Sequence, residues 1–405
     1  MKGLLDGVRV IEFAARGGGP IGGVVLGDFG ADVIKIENPE GGDPVRDPNR
    51  WLPGGVRAVP PGGHGVAFEL SDRNKRGITI DLSTEKGREI AYRLIEKSDA
   101  FLTNYEPHRL KRLNMDYETL SKRNPMLVYG AASSFGKNGP DKDKQAFDWM
   151  ALARSGMMMA VTDPDGSPGQ IVGTIADCMG GTFLGLAVIC GLLARERLGI
   201  GQEVNTALFG AMIWAQYPNI SLYFMDGRTL PERQPRVKSN PTSNNNYKCK
   251  DGKWINIMAR EWPPFCQFMG IEHLVKDPRF SDPEKRQNNA SELVKILDDR
   301  FATKTRDEWI ADIKAKNAPF GYEIVNTIRD LPNDPQLTAN NYIVEHDHPG
   351  LGRIKYLQFP FNFSKTPVDA TRRPAPMLGE HNNEVLQEFG YSPEEIAQFK
   401  AEKII

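Results

Sequence analysis

One carboxylate stands out by its surroundings. Asp177 lies in Gln170-Ile171-Val172-Gly173-Thr174-Ile175-Ala176-Asp177-Cys178-Met179-Gly180-Gly181, between an apolar run and the glycine-rich opening of an apolar helix. An acid at a helix N-terminus is commonly a cap that accepts from free backbone N–H groups. In buried surroundings the same N–H groups would also hold a carboxylate oriented and reachable and favour its ionised form, as a nucleophile requires. Spacing alone leaves both readings open. A second candidate is the loop Arg16-Gly17-Gly18-Gly19-Pro20, directly after the first predicted strand. A dinucleotide fingerprint would sit there, yet G-x-G-x-x-G is matched only in part. Gly17 and Gly19 fit, and Gly22 takes the third position only if Pro20 opens the helix. Glu37, about 20 residues on, imitates the acid that binds a ribose. The plainer reading is close packing of helix on sheet, and Gly-Pro at a helix start also exposes N–H groups to an anionic ligand.

These residues need a scaffold, which the first 131 residues supply by alternating strand and helix. Val8–Phe13 is a β-branched run, a small-residue helix follows (IGGVVLGDFG), and Ala31–Glu37 is a second strand. Two strands around one helix make a βαβ unit, so the sheet is predicted parallel and doubly wound. The unit recurs with a strand at Gly77–Leu82, an amphipathic helix at Thr84–Lys97 with Thr84 as cap, and a strand at Ala100–Asn104. A helix at Met115–Asn124 and a strand at Leu127–Ala131 complete a Rossmann-like pattern. Pro39–Gly65 reads as loop.

Beyond this, Gly180–Ala194 has about 15 apolar residues where a membrane span needs about 20, so it is expected as a buried helix. A turn at Leu198–Gln202 leads to a strand at Glu203–Thr206 and a long helix from about Ala207 to Met225. Residues 226–246 are polar and read as a linker or active-site loop. Tyr247–Ala259 is hairpin-like around Asp251-Gly252. Helical patterns at Trp262–Met269, Ala290–Thr303 and Thr305–Lys316 suggest a second, smaller domain. The end, from Gly350, gives a strand pair and helices at Asn382–Phe389 and Pro393–Lys403.

Composition narrows the function. The chain has 405 residues, 51 Lys plus Arg against 52 Asp plus Glu, and a net charge of -1. That balance argues against a nucleic-acid or membrane-surface binder. With 40% hydrophobic and 25% charged residues the chain is expected to fold around a large core. Cys178, Cys190, Cys249 and Cys266 form no C-x-x-C pair and no zinc spacing, which suits a reducing compartment. No signal-sequence pattern opens the chain, so a soluble, cytoplasmic protein is expected.

Several ordered segments resemble one family. They are LLDGVRVIEFA near the start, GADVIKIENPEGGDPVR at 30–46, NKRGITIDL at 74–82 and TNYEPHRLKRLNMDYETL at 103–120. NPMLVYGAASSFGKNGP at 124–140, FDWMALARSGMM at 147–158, the Asp177 segment leading into LLARERLGIGQEVNTALFGAM, and PMLGEHNNEVLQEFGY at 376–391 follow. Together these resemble the class III CoA-transferases, which include formyl-CoA:oxalate, carnitine and aryl-acid enzymes and have the α-methylacyl-CoA racemases as relatives. The resemblance covers nearly the whole chain.

The resemblance implies that Asp177 is the catalytic aspartate, working through an aspartyl-CoA thioester. It implies acyl-CoA and an organic acid as substrates, with no ATP, no metal and no permanent cofactor. Gly18 and Pro20, in the glycine loop, would be CoA contacts, and backbone N–H groups near Gly17–Pro20 would help stabilise oxyanions. Arg46 and the Asn74-Lys75-Arg76 loop would lie near the nucleotide end of CoA. Asn104, and Arg112 eight residues later, would be CoA contacts, Arg112 at the phosphates. Lys137 and Lys144 are weaker candidates, and His381 reads as structural.

The implied fold is α/β: a Rossmann-like large domain and a smaller α/β domain in an open, ring-like chain that interlocks with a second chain in a dimer. Residues 1–205 would form the first part of the large domain, 206–245 a linker helix and loop, 246–330 the small domain, and 331–405 a return segment completing the large one. The dimer would be homomeric or pair this chain with a paralogue.

Two departures from the family bear on specificity. Racemase relatives carry a histidine base where Phe147 stands, and the formyl/oxalate enzymes carry a glycine-rich lid where this chain has Ser239–Asn246. The stretches Gly139–Asp143, Tyr247–Asp251 and Trp262–Phe265 look nearest to enzymes of phenyllactate, cinnamate or benzylsuccinate. Phe147, Trp149, Trp214, Tyr217, Trp262 and Phe265 would then line an aromatic pocket, or simply pack a core. CoA transfer to an aromatic acid is the leading expectation. Acyl-CoA isomerisation and a non-catalytic acyl-CoA-binding subunit are the rivals.

Overall fold

The fold comes from a computed structural model of the chain. It describes residues 2–47, 49, 58–59 (backbone only), 64–163, 165–228 and 234–405. Much of the expected 39–65 loop, and residues 229–233 of the polar stretch, lie outside the described residues.

Strands β1 (Arg9–Phe13), β2 (Asp32–Glu37), β3 (Lys75–Thr79), β4 (Ala100–Thr103), β5 (Val128–Ser133) and β6 (Gln202–Ala207) form one sheet in the order β3-β2-β1-β4-β5-β6. Every neighbouring pair is parallel. The same unit carries helices α1 (Gly18–Asp28), α2 (Glu85–Glu96), α3 (Asp148–Arg154), α4 (Ile175–Leu198), α5 (Leu208–Ala215), α6 (Tyr217–Asp226) and α7 (Asn382–Glu388). Period-two alternation sends successive strand residues to two separate cores. Ile11, Ile34, Phe101 and Tyr129 pack with Ile90, Leu94 and Ile95 of α2 and Val385 and Phe389 at α7. Val10, Val33, Leu102 and Val128 pack instead with Val25 and Leu26 of α1 and Leu184 and Val188 of α4. Helix α2 begins where expected, with the Thr84 hydroxyl accepting from Gly87 N at 3.0 Å.

The strand order reverses between β1 and β4. Loops leaving the carboxyl ends of two such strands part in opposite directions and open a crevice where open α/β sheets take ligands. The glycine loop follows β1 and Asn104 follows β4, so both lie at this point.

Helix α4 departs from expectation in length. It starts at Ile175 and runs 24 residues, so Asp177 sits inside its first turn rather than ahead of it. By length and composition alone it would suffice to cross a membrane. It is expected buried, and only one face is: Gly180, Gly181, Leu184, Gly185, Val188 and Gly191 are buried, whereas Leu186 and Leu193 are half exposed. A Cβ on Gly181 would come within 2.5 Å of the Gly18 carbonyl, and one on Gly185 within 2.9 Å of Val25 Cγ1. The glycines therefore let the α1 and α4 backbones meet, and that approach brings the start of α4 to the glycine loop.

Three further boundaries differ. The single helix expected over 207–225 is two, α5 and α6, parted at Gln216. Pro218 lacks the N–H that would bond the Trp214 carbonyl, and the Gln216 amide turns back to Ser155 O at 2.9 Å. The third strand begins at Lys75, not Gly77. The late strand pair is Ile343–His348 with Gly352–Leu357, because Pro349-Gly350 forms the turn between them rather than opening the first strand. His348 Nδ1 closes that turn by accepting from Gly350 N and Leu351 N.

The chain divides into two compact units, the first being Met1–Met159, Gln170–Arg228 and Pro335–Ile405, the second Ala160–Gly169 and Thr229–Asp334. The second unit holds an antiparallel sheet of β7 (Ser243–Lys248), β8 (Trp254–Met258) and β9 (Gly321–Val325), with β8 central. Gly252, at φ +79°, makes the β7–β8 turn. Tyr247, Ile255, Phe265, Leu297, Phe301 and Trp309 build its core.

Candidate active site

Three consecutive loop residues after β1 are fixed by side chains from below. Lys35 Nζ donates to Ala14 O at 3.0 Å. Asn104 grips Ala15 from both sides, its Oδ1 accepting from the N–H at 3.0 Å and its Nδ2 donating to the carbonyl at 2.8 Å. Arg16 N donates to Asp43 at 3.0 and 3.2 Å. Lys35 is fully buried and also meets Glu12, Asp43 and Asp72 at 3.0–3.2 Å. Burial alone would lower its pKa; the carboxylates of Asp72, Asp43 and Glu12 outweigh that and hold it well above the usual range. The loop rests on a buried ionic foundation.

This foundation presents Gly17 and Gly18 to α4. Gly18 N donates to Asp177 Oδ1 at 3.2 Å. The missing side chain of Gly17 makes room for the carboxylate, since a Cβ there would lie 2.3 Å from Asp177 Oδ2. From the other side, Asp148 at the start of α3 caps α4. Its Oδ1 accepts from Ala176 N at 2.6 Å and from Asp177 N at 3.0 Å. The second oxygen of Asp148 is buried without a hydrogen-bond partner among the described residues. Burial raises the Asp148 pKa, against the two N–H groups.

Burial first, and the Asp148 charge second, push the Asp177 carboxyl up to about 6, while the Gly18 N–H favours the charged form. The unfolded value is about 3.9, so the folded chain holds more protons between these limits. Stability contributed by this group is full below the unfolded pKa and is lost as pH rises through about 6. Asp177→Asn is therefore expected to be more stable than the wild type at pH 8 by about 3 kcal/mol, with little gain at pH 4. Thermal melts at the two pH values check this; an equal difference at both would contradict it.

The arrangement offers a partly buried carboxylate, one backbone donor on it, and the reversal point of the sheet beside it. The family model for CoA-transferase family III matches residues 5–382. The chain belongs to that family. It is similar, at 30% identity over 99% of both chains, to (R)-2-hydroxy-4-methylpentanoate CoA-transferase of Clostridioides difficile. It is also 30% identical to cinnamoyl-CoA:phenyllactate CoA-transferase of Clostridium sporogenes, over 99% of this chain and 97% of that one. A solved CaiB/BaiF family protein from Brucella suis superposes with a TM-score of 0.85 at 31% identity, covering 96% of this chain and all of the other. CoA transfer is thus the activity class, and CoA thioesters are substrates.

Within this family III fold the expected CoA residues have unequal freedom. Lys75 is 0% exposed, and its ammonium is spent on Glu12, Asp72 and the carbonyls of Pro20 and Ser71 at 2.8–3.0 Å. Asn74 donates to Asp28 and to the Asp369 carbonyl. Arg76 is held by Asp32, Glu384 and Glu388. Arg46 pairs with Glu37 and lies 3.9 Å over the Phe68 ring. These four side chains tie the glycine-loop layer and the C-terminal segment together. Arg112 is exposed at the end of its helix, and no ion pair engages it among the described residues. Lys137 pairs with Glu203, and Lys144 lies 5.5 Å over Phe135.

Of the six aromatics, Trp262 and Phe265 are buried in the core of the second unit. Phe147, Trp149, Trp214 and Tyr217 are exposed on the first, the last two with ring centroids 5.1 Å apart. Sequence reasoning missed the roles of Asp148, Lys35 and Asp43. The signals were present: an acid directly after Phe147 at a helix start, and a lysine inside the apolar strand Asp32-Val33-Ile34-Lys35-Ile36-Glu37.

Proposed function

We propose that this enzyme moves CoA from an acyl-CoA to an organic acid through a thioester on Asp177. The observation that carries this is the Asp177 carboxylate itself, set on the Gly18 N–H at the reversal point of the sheet. Ionised, it attacks the thioester carbonyl of the donor, and CoA leaves as a thiolate with the donor acyl group held as a mixed anhydride. The thiolate then attacks the Asp177 carbonyl and expels the donor acid as a carboxylate, leaving aspartyl-CoA. The acceptor carboxylate attacks that carbonyl and frees the thiolate, which takes the acceptor acyl group and restores Asp177. Thioester energy is conserved, and every proton count balances without an outside acid.

At each attack on the Asp177 carbonyl an oxyanion forms on its own oxygen. The Gly18 N–H already bonded there stabilises it without rearrangement. Asp148 holds the first turn of α4 in place. At the nucleotide end we assign phosphate contact to Arg112, whereas Arg46, Asn74, Lys75 and Arg76 act by fixing the loops around CoA. Asn104 and Pro20 act the same way, on the glycine loop.

We take the large unit to be Rossmann-like, and two chains to interlock in a dimer in the cytoplasm. The exposed Phe224 and Met225 at the end of α6 support a second copy as their cover. Donors would be succinyl-CoA or an aryl-acyl-CoA. An aromatic acid is the acceptor we favour, supported by the exposed Phe147, Trp149, Trp214 and Tyr217. Phe147 stands where isomerisation would need a base, which disfavours that reaction.

Because the ionised carboxylate is the nucleophile, kcat/KM is expected to fall tenfold per pH unit below about 6. Asp148→Asn removes the like charge while keeping an acceptor for both N–H groups, and moves that acidic limb to lower pH. An unshifted limb would assign it to another group. Hydroxylamine tests the intermediate itself. It should convert Asp177 to its hydroxamate only when acyl-CoA is present, and an unmodified Asp177 peptide during active turnover would refute the reading.

A further inference from the structure

Each catalytic cycle brings one free carboxylate to Asp177 and sends another away. Two carboxylates, Asp177 and Asp148, already stand there, and the contacts on them are backbone N–H groups rather than cations. An anionic substrate entering such a place needs a positive partner. The basic side chains nearby are largely spent. Lys35 and Lys75 are locked in the buried cluster, Arg46 is paired with Glu37, and Arg154 with Asp141.

Arg16 differs. It directly precedes Gly17, whose backbone abuts the Asp177 carboxylate. Its backbone takes the left-handed conformation, φ +72°, which is uncommon for a side chain of this size. Asp43 on its own N–H and Asn104 on Ala15 pay for that strain. Its guanidinium meets no carboxylate at ion-pair distance among the described residues. It sits 5.5 Å from the centroid of the Phe147 ring, which is 53% exposed. Phe147 immediately precedes Asp148, so the two loops that hold Asp177 also hold this pair. An arginine stacked on an aromatic face is oriented, yet keeps its edge N–H groups free for a two-pronged grip on a carboxylate.

We infer that Arg16, propped on Phe147, receives the free carboxylate of the acid substrates, the donor acid as it departs and the acceptor as it arrives. This rests on the Asp177 reading, with Arg16 as the residue that binds the acid rather than the CoA. Phe147 thereby has a use in the place where an isomerase would need a base.

The test is steady-state kinetics of the full chain with succinyl-CoA or cinnamoyl-CoA as donor. Succinate, cinnamate, 3-phenyllactate and 2-hydroxy-4-methylpentanoate serve as acceptors, each tried with a donor of a different acid. Arg16→Gln is expected to raise KM for the accepted acid by about 30-fold, the loss of one charge-assisted grip. Its KM for the acyl-CoA should stay within about threefold on the same scale. Arg16→Lys should fall between, because a point charge replaces the fork. Phe147→Leu should raise KM for the acid about threefold, the loss of the ring support. An unchanged KM for the acid in Arg16→Gln overturns the inference. So does an equal rise for acid and acyl-CoA, which would assign Arg16 to CoA or to the fold. Transfer that persists in Asp177→Ala would overturn the underlying reading instead, whatever Arg16 does.

Discussion

Asp177→Ala lowers kcat for CoA transfer by at least about 10⁴-fold, because it deletes the atom that forms both covalent intermediates. Binding of the thioester should survive, since the bonds that hold the glycine loop run through Asn104, Lys35 and Asp43 rather than through Asp177. Asp177→Asn should be as inactive despite its nearly identical shape, because an amide is not a nucleophile toward a thioester. The pair separates chemistry from packing. Transfer above about 1% of wild type in either variant would show that another group carries the acyl chain.

Gly17→Ala should strike the nucleophile directly. Its Cβ would stand 2.3 Å from Oδ2 and 2.5 Å from Cγ of Asp177. The carboxylate is what must move, away from the Gly18 N–H that holds it at 3.2 Å. A displacement of about 1 Å at a reacting group costs on the order of 100-fold, so kcat should drop by about that factor. Circular dichroism and melting should show an intact fold. Near-wild-type turnover would mean that Asp177 reacts from a different rotamer than the one bonded to Gly18.

Much of this was legible in the sequence for physical reasons. Val10, Ile11, Val33 and Ile34 alternate between two cores, so their β-branched pattern marks strands buried on both faces. Thr84 is a cap because a hydroxyl three residues before Gly87 N has that geometry available. Asp177 could be singled out by its glycine-rich, apolar neighbours. What it touches could not be read, since Gly17 and Asp148 meet it across 160 and 29 residues of chain.

The cations show the same limit. The sequence of Asn74-Lys75-Arg76 looks like a polar loop offered to a ligand, and it opens the third strand over a buried acid cluster. A lysine has the same one-letter code whether its charge faces solvent or Glu12. Long-range partners decide that, and they belong to the fold. The helix over 207–225 failed for a local reason that was visible: Pro218 cannot donate within it.

A thioester on Asp177 can be seen by intact-mass spectrometry. The protein is mixed with succinyl-CoA, cinnamoyl-CoA and a panel of other acyl-CoAs, with Asp177→Ala alongside. An adduct of the mass of CoA less one water is expected on the wild type alone, discharged when an acceptor acid is added. Steady transfer with no such adduct, or the same adduct on Asp177→Ala, would contradict a thioester on Asp177.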